Sequence, residues 1–125
     1  KSDAIFATID FMPTFASLCG FKVPDDRKID GVDQTNLLLG KSEKGRDTFY
    51  FDRAGIRKGK WKYLKADAHF YGYAREDSRP KEEELYNLEK DLEEKNNLAK
   101  KHPKILAELR KLTESMPKDG PGGIH

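Results

Sequence analysis

Cysteine is almost absent. Cys19 is the single one, so no disulfide can close within the chain, and thiol usage carries no information on redox compartment. Long apolar runs are missing as well. No stretch approaches the roughly 20 apolar residues of a bilayer-spanning helix, so no membrane partner is expected. Neither sign of charge dominates: 24 Lys and Arg face 22 Asp and Glu, a net of +2. Dedicated nucleic-acid binders are usually strongly basic, so no nucleic-acid partner is expected either. With 37% charged and 36% apolar residues, the chain reads as a very polar surface over a modest core.

Chemistry-bearing constellations are also lacking. The histidines are His69, His102 and His125, and none pairs with another at helical or hairpin spacing, so no metal site is expected. Asp25, Asp26, Asp30 and Asp33 do not follow the spaced ladder of a calcium loop, which ends in a bidentate Glu. Ordinary turn chemistry explains them. Cys19 lies on an apolar helical face and is expected to be a buried structural thiol. The chain therefore shows no catalytic residue and no cofactor site of its own, and is expected not to be an enzyme by itself. Its start, Lys1-Ser2-Asp3-Ala4-Ile5-Phe6, is no signal peptide, because Thr8 and Asp10 interrupt the apolar positions. Beginning in mid-pattern without methionine, it reads as a piece of a longer protein.

Several elements are legible. Ile5, Ile9, Met12, Ala16 and Cys19 recur at helical spacing, and Phe11, Phe15 and Leu18 widen that face, so a helix is predicted over about 5–19. Thr8 would cap it, Pro13 would sit near its first turn, and Gly20 would stop it. Residues 21–36 read as loop. Leu37-Leu38-Leu39 before Gly40 looks like one helical turn. Phe49-Tyr50-Phe51 is strand-like, and Ala54–Arg57 and Trp61–Leu64 flank Lys58-Gly59 as a hairpin. Residues 67–83 form a polar insertion carrying Phe70, Tyr71 and Tyr73, and Glu84–Leu88 is a last strand. Pro103 suits the first position of a final helix faced by Ile105, Leu106, Leu109, Leu112 and Met116. Pro117 and Gly120-Pro121-Gly122-Gly123 end it in a tail. The order predicts an α+β fold, with a small antiparallel sheet of about four strands and the last helix across it.

The basic stretch Arg57-Lys58-Gly59-Lys60-Trp61-Lys62-Tyr63-Leu64-Lys65 permits two readings. It could be a surface for a polyanion. It could equally be a hairpin whose lysine stems cover apolar sheet while their charges stay wet.

Four segments together resemble the C-terminal part of the sulfatases, the arylsulfatase-like enzymes of the alkaline-phosphatase superfamily. Thr8-Ile9-Asp10-Phe11-Met12-Pro13-Thr14-Phe15 with Leu18-Cys19-Gly20 is similar to a family helix of the form D-x-x-P-T-L. Asp30-Gly31-Val32 and Leu37-Leu38-Leu39-Gly40 resemble its D-G-x-S-L-x-P-L-L-x-G segment. Ile56-Arg57-Lys58-Gly59-Lys60-Trp61-Lys62-Tyr63 is similar to V-R-x-G-x-W-K-L. Glu84-Leu85-Tyr86-Asn87-Leu88-Glu89-Lys90-Asp91 is similar to E-L-Y-D-L-x-x-D-P. Leu92-Glu93 replaces the usual Pro-Gly, and Leu37 stands where Pro is usual.

The resemblance implies a layout. Residues 1–40 would be the last helix and connecting loop of a parent catalytic domain, 41–116 the C-terminal subdomain, and 117–125 a flexible tail. It implies a parent that hydrolyses sulfate esters with a formylglycine and Ca2+, both supplied upstream. Cys19 is followed by Gly20-Phe21-Lys22-Val23 and does not fit the C/S-x-P-x-R formylglycine motif. Many sulfatases are exported, so a periplasmic or secreted parent is implied. The fragment would support stability and substrate-cleft shape, with Arg53, His69, Tyr71 and Arg75 as candidate substrate contacts. Its expected partner is the parent's N-terminal catalytic domain. With that domain absent, self-association through the helix at 5–19 is expected. The alternative is a stand-alone polyanion-binding module using the hairpin at 57–65.

Overall fold

The computed structural model describes residues 2–26, 29–68 and 79–116. The chain divides between Asp47 and Thr48 into two compact units.

The first unit is built around Asp10. A 3-10 turn, Thr8–Asp10, runs into α1, Phe11–Leu18. The helix is shorter than its apolar periodicity predicts, for a local reason. Ile5 makes a β-bridge with Arg46, and the Asp10 carboxylate accepts the Ala7 N–H at 3.0 Å. Residues 5–7 are therefore held extended, and helix begins only beyond Asp10. Pro13 then falls in the first turn, where its missing donor costs nothing. Gly20 follows with φ 73°, a left-handed C-terminal stop. The one-turn helix α2, Thr35–Leu38, ends likewise before Gly40, φ 68°. Thr14 ties the two helices together: its hydroxyl accepts the Gln34 N–H at 3.0 Å, and its carbonyl accepts from the Thr35 hydroxyl at 3.4 Å. Gly31 is needed for close approach. A Cβ there would lie 2.2 Å from the Ile9 carbonyl oxygen and 2.9 Å from Pro13 Cγ.

The second unit is an antiparallel meander of β1 (Thr48–Phe51), β2 (Gly55–Lys58), β3 (Trp61–Leu64) and β4 (Glu84–Asn87), in spatial order β1-β2-β3-β4. The hairpin loop is Gly59-Lys60, one residue later than the pattern suggested, with Gly59 at φ 53°. The register aligns Tyr50, Ile56, Tyr63 and Leu85 across one face. Helix α3, Pro103–Glu114, covers that face with Ile105, Leu106, Leu109 and Leu112. The outer edge of β4 is closed by the following loop. Asn97 Oδ1 accepts the Leu85 N–H at 3.1 Å, and the Leu98 N–H reaches the Leu85 carbonyl at 2.8 Å. The fold is α+β, a four-stranded antiparallel sheet with a C-terminal helix across it, preceded by a helical unit.

Candidate functional site

A meander places alternate connections at alternate ends of its sheet. The β1–β2 turn and both stems of the β3–β4 connection therefore share one end, opposite the Gly59-Lys60 hairpin. Arg53 is exposed on the β1–β2 turn. Beside it, Asp52 has φ 52°, and Asp67, on the ascending stem, has φ 55°. Left-handed backbone is uncommon outside glycine, and Asp is among the residues that tolerate it. Three backbone bonds lock this end. Lys65 N–H donates to the Ala54 carbonyl at 2.8 Å, Asp67 N–H to that of Pro80 at 2.8 Å, and Ala68 N–H to that of Lys65 at 3.2 Å. His69, Tyr71 and Arg75 lie outside the described residues. Of the four candidate contacts, Arg53 is thus the one that the structure places.

The descending stem is anchored to α3 through a charge network that sequence reading did not single out. Arg110 Nε donates to Glu83 Oε1 at 2.7 Å, and a second guanidinium nitrogen to Oε2 at 2.5 Å. The Tyr63 hydroxyl donates to the same Oε1 at 2.7 Å. The Arg110 hydrogen bonds hold the Glu83 carboxyl below the usual range against the cost of burial. Burial first, and the hydrogen bond to Glu83 second, push the Tyr63 phenol far above its ordinary value. Tyr63 is therefore a neutral donor at any physiological pH, and the network positions the stem without moving protons. Tyr86 is raised as well, by burial and by the neighbouring Glu84 charge.

The hairpin lysines are matched by carboxylates. Lys58 Nζ lies 2.8 Å from Glu108, Lys60 Nζ 3.4 Å from Glu89, and Lys62 Nζ 2.7 Å from Glu94. Lys62 also sits 5.4 Å above the Phe51 ring. Among the described residues, no group of three His, Cys, Asp or Glu side chains could hold a metal ion, and no helix is long and apolar enough to cross a membrane. Cys19 corrects an expectation. It is exposed, not buried, because the α1 face that it continues is itself open, with Phe15 and Leu18 exposed beside it. Among the described residues, this end of the sheet offers the Arg53 guanidinium beside a turn and two stems tied by backbone hydrogen bonds.

No family model matches the chain. Individual relatives do. An N-acetylgalactosamine-6-O-sulfatase of Bacteroides thetaiotaomicron is 35% identical over 123 residues, which is 93% of this chain and 24% of that protein. Arylsulfatase G of Rattus norvegicus is 28% identical over 125 residues, 90% of this chain and 24% of that protein. A solved structure described under glycosaminoglycan metabolism by Bacteroides thetaiotaomicron superposes with TM-score 0.72 at 35% identity, covering 92% of this chain and 25% of the other. A solved 2-O GAG sulfatase superposes at 0.57 with 28% identity, over 84% and 23%.

The chain is a relative of the sulfatases.

It spans about a quarter of the length of the sulfatases that it matches. Its sulfatase-like segments occupy defined places in the fold. Asp10, Pro13 and Thr14 make the entry to α1 and its tie to α2, and Gly31 packs on that entry. Ile56–Tyr63 is the β2–β3 hairpin, and Glu84–Asn87 is β4. These segments belong to the framework of the two units.

Proposed function

We propose that this chain is the C-terminal part of a sulfatase that hydrolyses sulfate esters of sugars, and that the chain itself performs no bond cleavage. The observation that carries this reading is the sulfatase similarity along nearly the whole chain at only a quarter of the relatives' length. The names of the relatives, N-acetylgalactosamine-6-O-sulfatase and 2-O GAG sulfatase, favour a sulfated sugar as substrate class. Residues 1–40 would be the edge of the catalytic domain and 41–116 the subdomain beside it. The residues present do not fit the family's reactive groups. Cys19 lacks the C/S-x-P-x-R context, and the described carboxylates form no metal cluster. Formylglycine and Ca2+ are thus assigned to the rest of the polypeptide, and no step through them is assigned here. The contribution of this chain is shape and charge at the cleft, from the sheet end that carries Arg53 and the 69–75 segment with His69, Tyr71 and Arg75. The ion pairing of Lys58, Lys60 and Lys62 weighs against the polyanion-binding alternative.

The purified chain, given an aryl sulfate and Ca2+, is expected to release no product. An activated nucleophile and preorganised charge supply most of a hydrolase's acceleration. Turnover that co-purifies with the chain would overturn the non-catalytic reading. In the longer protein, Arg53→Ala is expected to raise KM for a sulfated sugar roughly tenfold or more with little change in kcat, as for a lost charge-assisted hydrogen bond of about 1.5–3 kcal/mol. An unchanged KM removes Arg53 from the cleft.

A further inference from the structure

β4 is the last strand of the meander, so one of its edges has no strand beside it. In an antiparallel pair, alternate residues turn their backbone groups toward the neighbour and away from it. Leu85 turns both its N–H and its C=O away from β3, and the Glu83 and Asn87 carbonyls lie along the same edge. A row of bare groups of this kind is a template for a strand from another molecule.

Here each of these groups is taken. Asn97 Nδ2 donates to the Glu83 carbonyl at 3.1 Å, and Asn97 Oδ1 accepts the Leu85 N–H at 3.1 Å. The Leu98 N–H donates to the Leu85 carbonyl at 2.8 Å. The Asn87 carbonyl accepts the Lys90 N–H at 3.1 Å and the Asp91 N–H at 2.8 Å. All of these partners come from the loop between β4 and α3.

The pattern at Asn97 is that of a strand. A residue of a parallel neighbour opposite Glu84 would donate to the carbonyl of residue 83 and accept the N–H of residue 85. Asn97 does both with its side-chain amide, and the Leu98 backbone continues the pattern at Leu85. An amide is required, since Asp offers acceptors alone and Lys donors alone. The segment is fixed at both ends. The Asp91 carboxylate accepts the Lys95 N–H at 3.1 Å and the Asn96 N–H at 2.8 Å, and Lys62 holds Glu94 at 2.7 Å. Beyond it, Ala99 belongs to the core cluster and donates its N–H to Asn97 Oδ1 at 3.0 Å. Asn96 and Asn97 are themselves exposed, so this segment is what separates the β4 edge from solvent.

We propose that residues 96–98 act as a surrogate fifth strand that keeps β4 from pairing with an extended segment of a second copy, and that the Asn97 amide decides it. The residues involved all lie in the second unit, and the edge is closed by the chain itself, so the proposal does not rest on the sulfatase reading.

Asn97→Ala and Asn97→Lys in the full chain test it together. Both remove the amide, so both should speed exchange of the Leu85 N–H about tenfold, as for the loss of one ordinary hydrogen bond. Lys, however, is a side chain that natural edge strands carry against pairing. On concentration, Asn97→Ala should gain intermolecular β-sheet, read by infrared spectroscopy, while Asn97→Lys and the native chain gain none. That signal does not register association through helices. Trp61, which borders the core cluster, reports by its emission that each variant is folded. The native chain adds a readout free of substitution: its Leu85 and Leu98 amides should both be protected, and rates of an unstructured peptide at either one overturn the strap. An Asn97→Ala chain with a fast Leu85 amide and no intermolecular sheet overturns the guarding role. If Ala and Lys variants associate alike, association follows lost stability and not the open edge, and the proposal fails as well.

Discussion

Asp10→Asn is expected to loosen the first unit by about 3–5 kcal/mol, the cost of leaving one partner of a buried ion pair alone. The Asp10 side chain has no exposed surface, and its carboxylate collects four donors. They are the Ala7 N–H at 3.0 Å, the Val32 N–H at 2.8 Å, Arg46 Nε at 3.2 Å and a second Arg46 nitrogen. Arg46 also donates to the Asp30 carbonyl at 2.7 Å. The carboxylate thus joins the approach to α1, the loop at 30–32 and the bridge at Arg46. Asn keeps the shape but removes the charge and turns an NH2 group toward donors. Trp61 and every tyrosine lie beyond residue 47, so fluorescence is blind to this unit. Amide exchange at Ala7, Val32 and Arg46 reports it instead, and 3 kcal/mol corresponds to acceleration of about 100-fold. Replacing both partners, Asp10→Leu with Arg46→Met, should recover part of the loss, because no lone charge stays buried. Exchange that changes less than threefold in Asp10→Asn would show that the carboxylate is dispensable.

The same group sets an acid limit. Burial opposes the Asp10 charge, but hydrogen bonds from Arg46, Val32 and Ala7 outweigh it and hold the carboxyl below the usual carboxylate range. The folded value is thus lower than the unfolded one. The stabilisation is complete above about pH 3.9, the ordinary Asp value. It is lost as pH falls through the lowered folded value. Glu83 is lowered too, chiefly by Arg110, so both units should weaken in acid and neither near neutrality. Asp10→Asn should flatten the acid limb of the first unit and leave that of the second unchanged.

Local pattern made much of the architecture legible. Pro103 and the 105–116 spacing announced α3, Gly59 marked the hairpin, and Gly20 and Gly40 closed their helices. Each signal is local, so sequence alone carries it. Misreadings arose where a distant group decides. The Ile9 periodicity extends back to Ile5, but the Arg46 bridge, about forty residues away, holds Ile5 extended. Periodicity also says which residues share a face without saying what covers it, so Cys19 was read as buried. Glu83 and Arg110 are 27 residues apart, too far for any helical or hairpin spacing to pair them. At the candidate site, Arg53 was read only as a candidate contact, and its place on the β1–β2 turn came from the structure. Its place at the same sheet end as the stems at 65–68 and 79–83 followed only once the strands proved to be a meander. The left-handed Asp52 and Asp67 had no sequence signal, since neither position holds the Gly or Asn that usually advertises one.

Leu109→Ala is expected to cost the second unit about 2–5 kcal/mol, the range for a large-to-small change in a core that relaxes incompletely. Leu109 retains 2% of its surface. It fills the space above Ile56, Tyr63, Leu85 and Ala99, with Ile105, Leu106 and Leu112 around it. A sheet of four-residue strands has little stability of its own, so this helix supplies the cover that makes the meander a folded body. Trp61 reports the event, since its ring borders the same cluster and lies 5.2 Å from that of His102 at the start of α3. Followed by tryptophan fluorescence, the urea midpoint should fall by more than about 1 M with an unchanged slope. Leu92→Ala, on an exposed loop residue, should stay within about 0.5 kcal/mol of the native chain. The site should feel the loss too. Arg110 is one residue beyond Leu109 on α3 and holds Glu83, hence the descending stem of the β3–β4 connection. Amides at Asp67 and Ala68 should therefore exchange faster in Leu109→Ala, coupled through the Pro80 carbonyl that Asp67 reaches at 2.8 Å. If the midpoint moves no further than in Leu92→Ala, the sheet is held by something other than α3. If the midpoint falls while those two amides keep their native rates, the Arg53 end is braced independently of the helix.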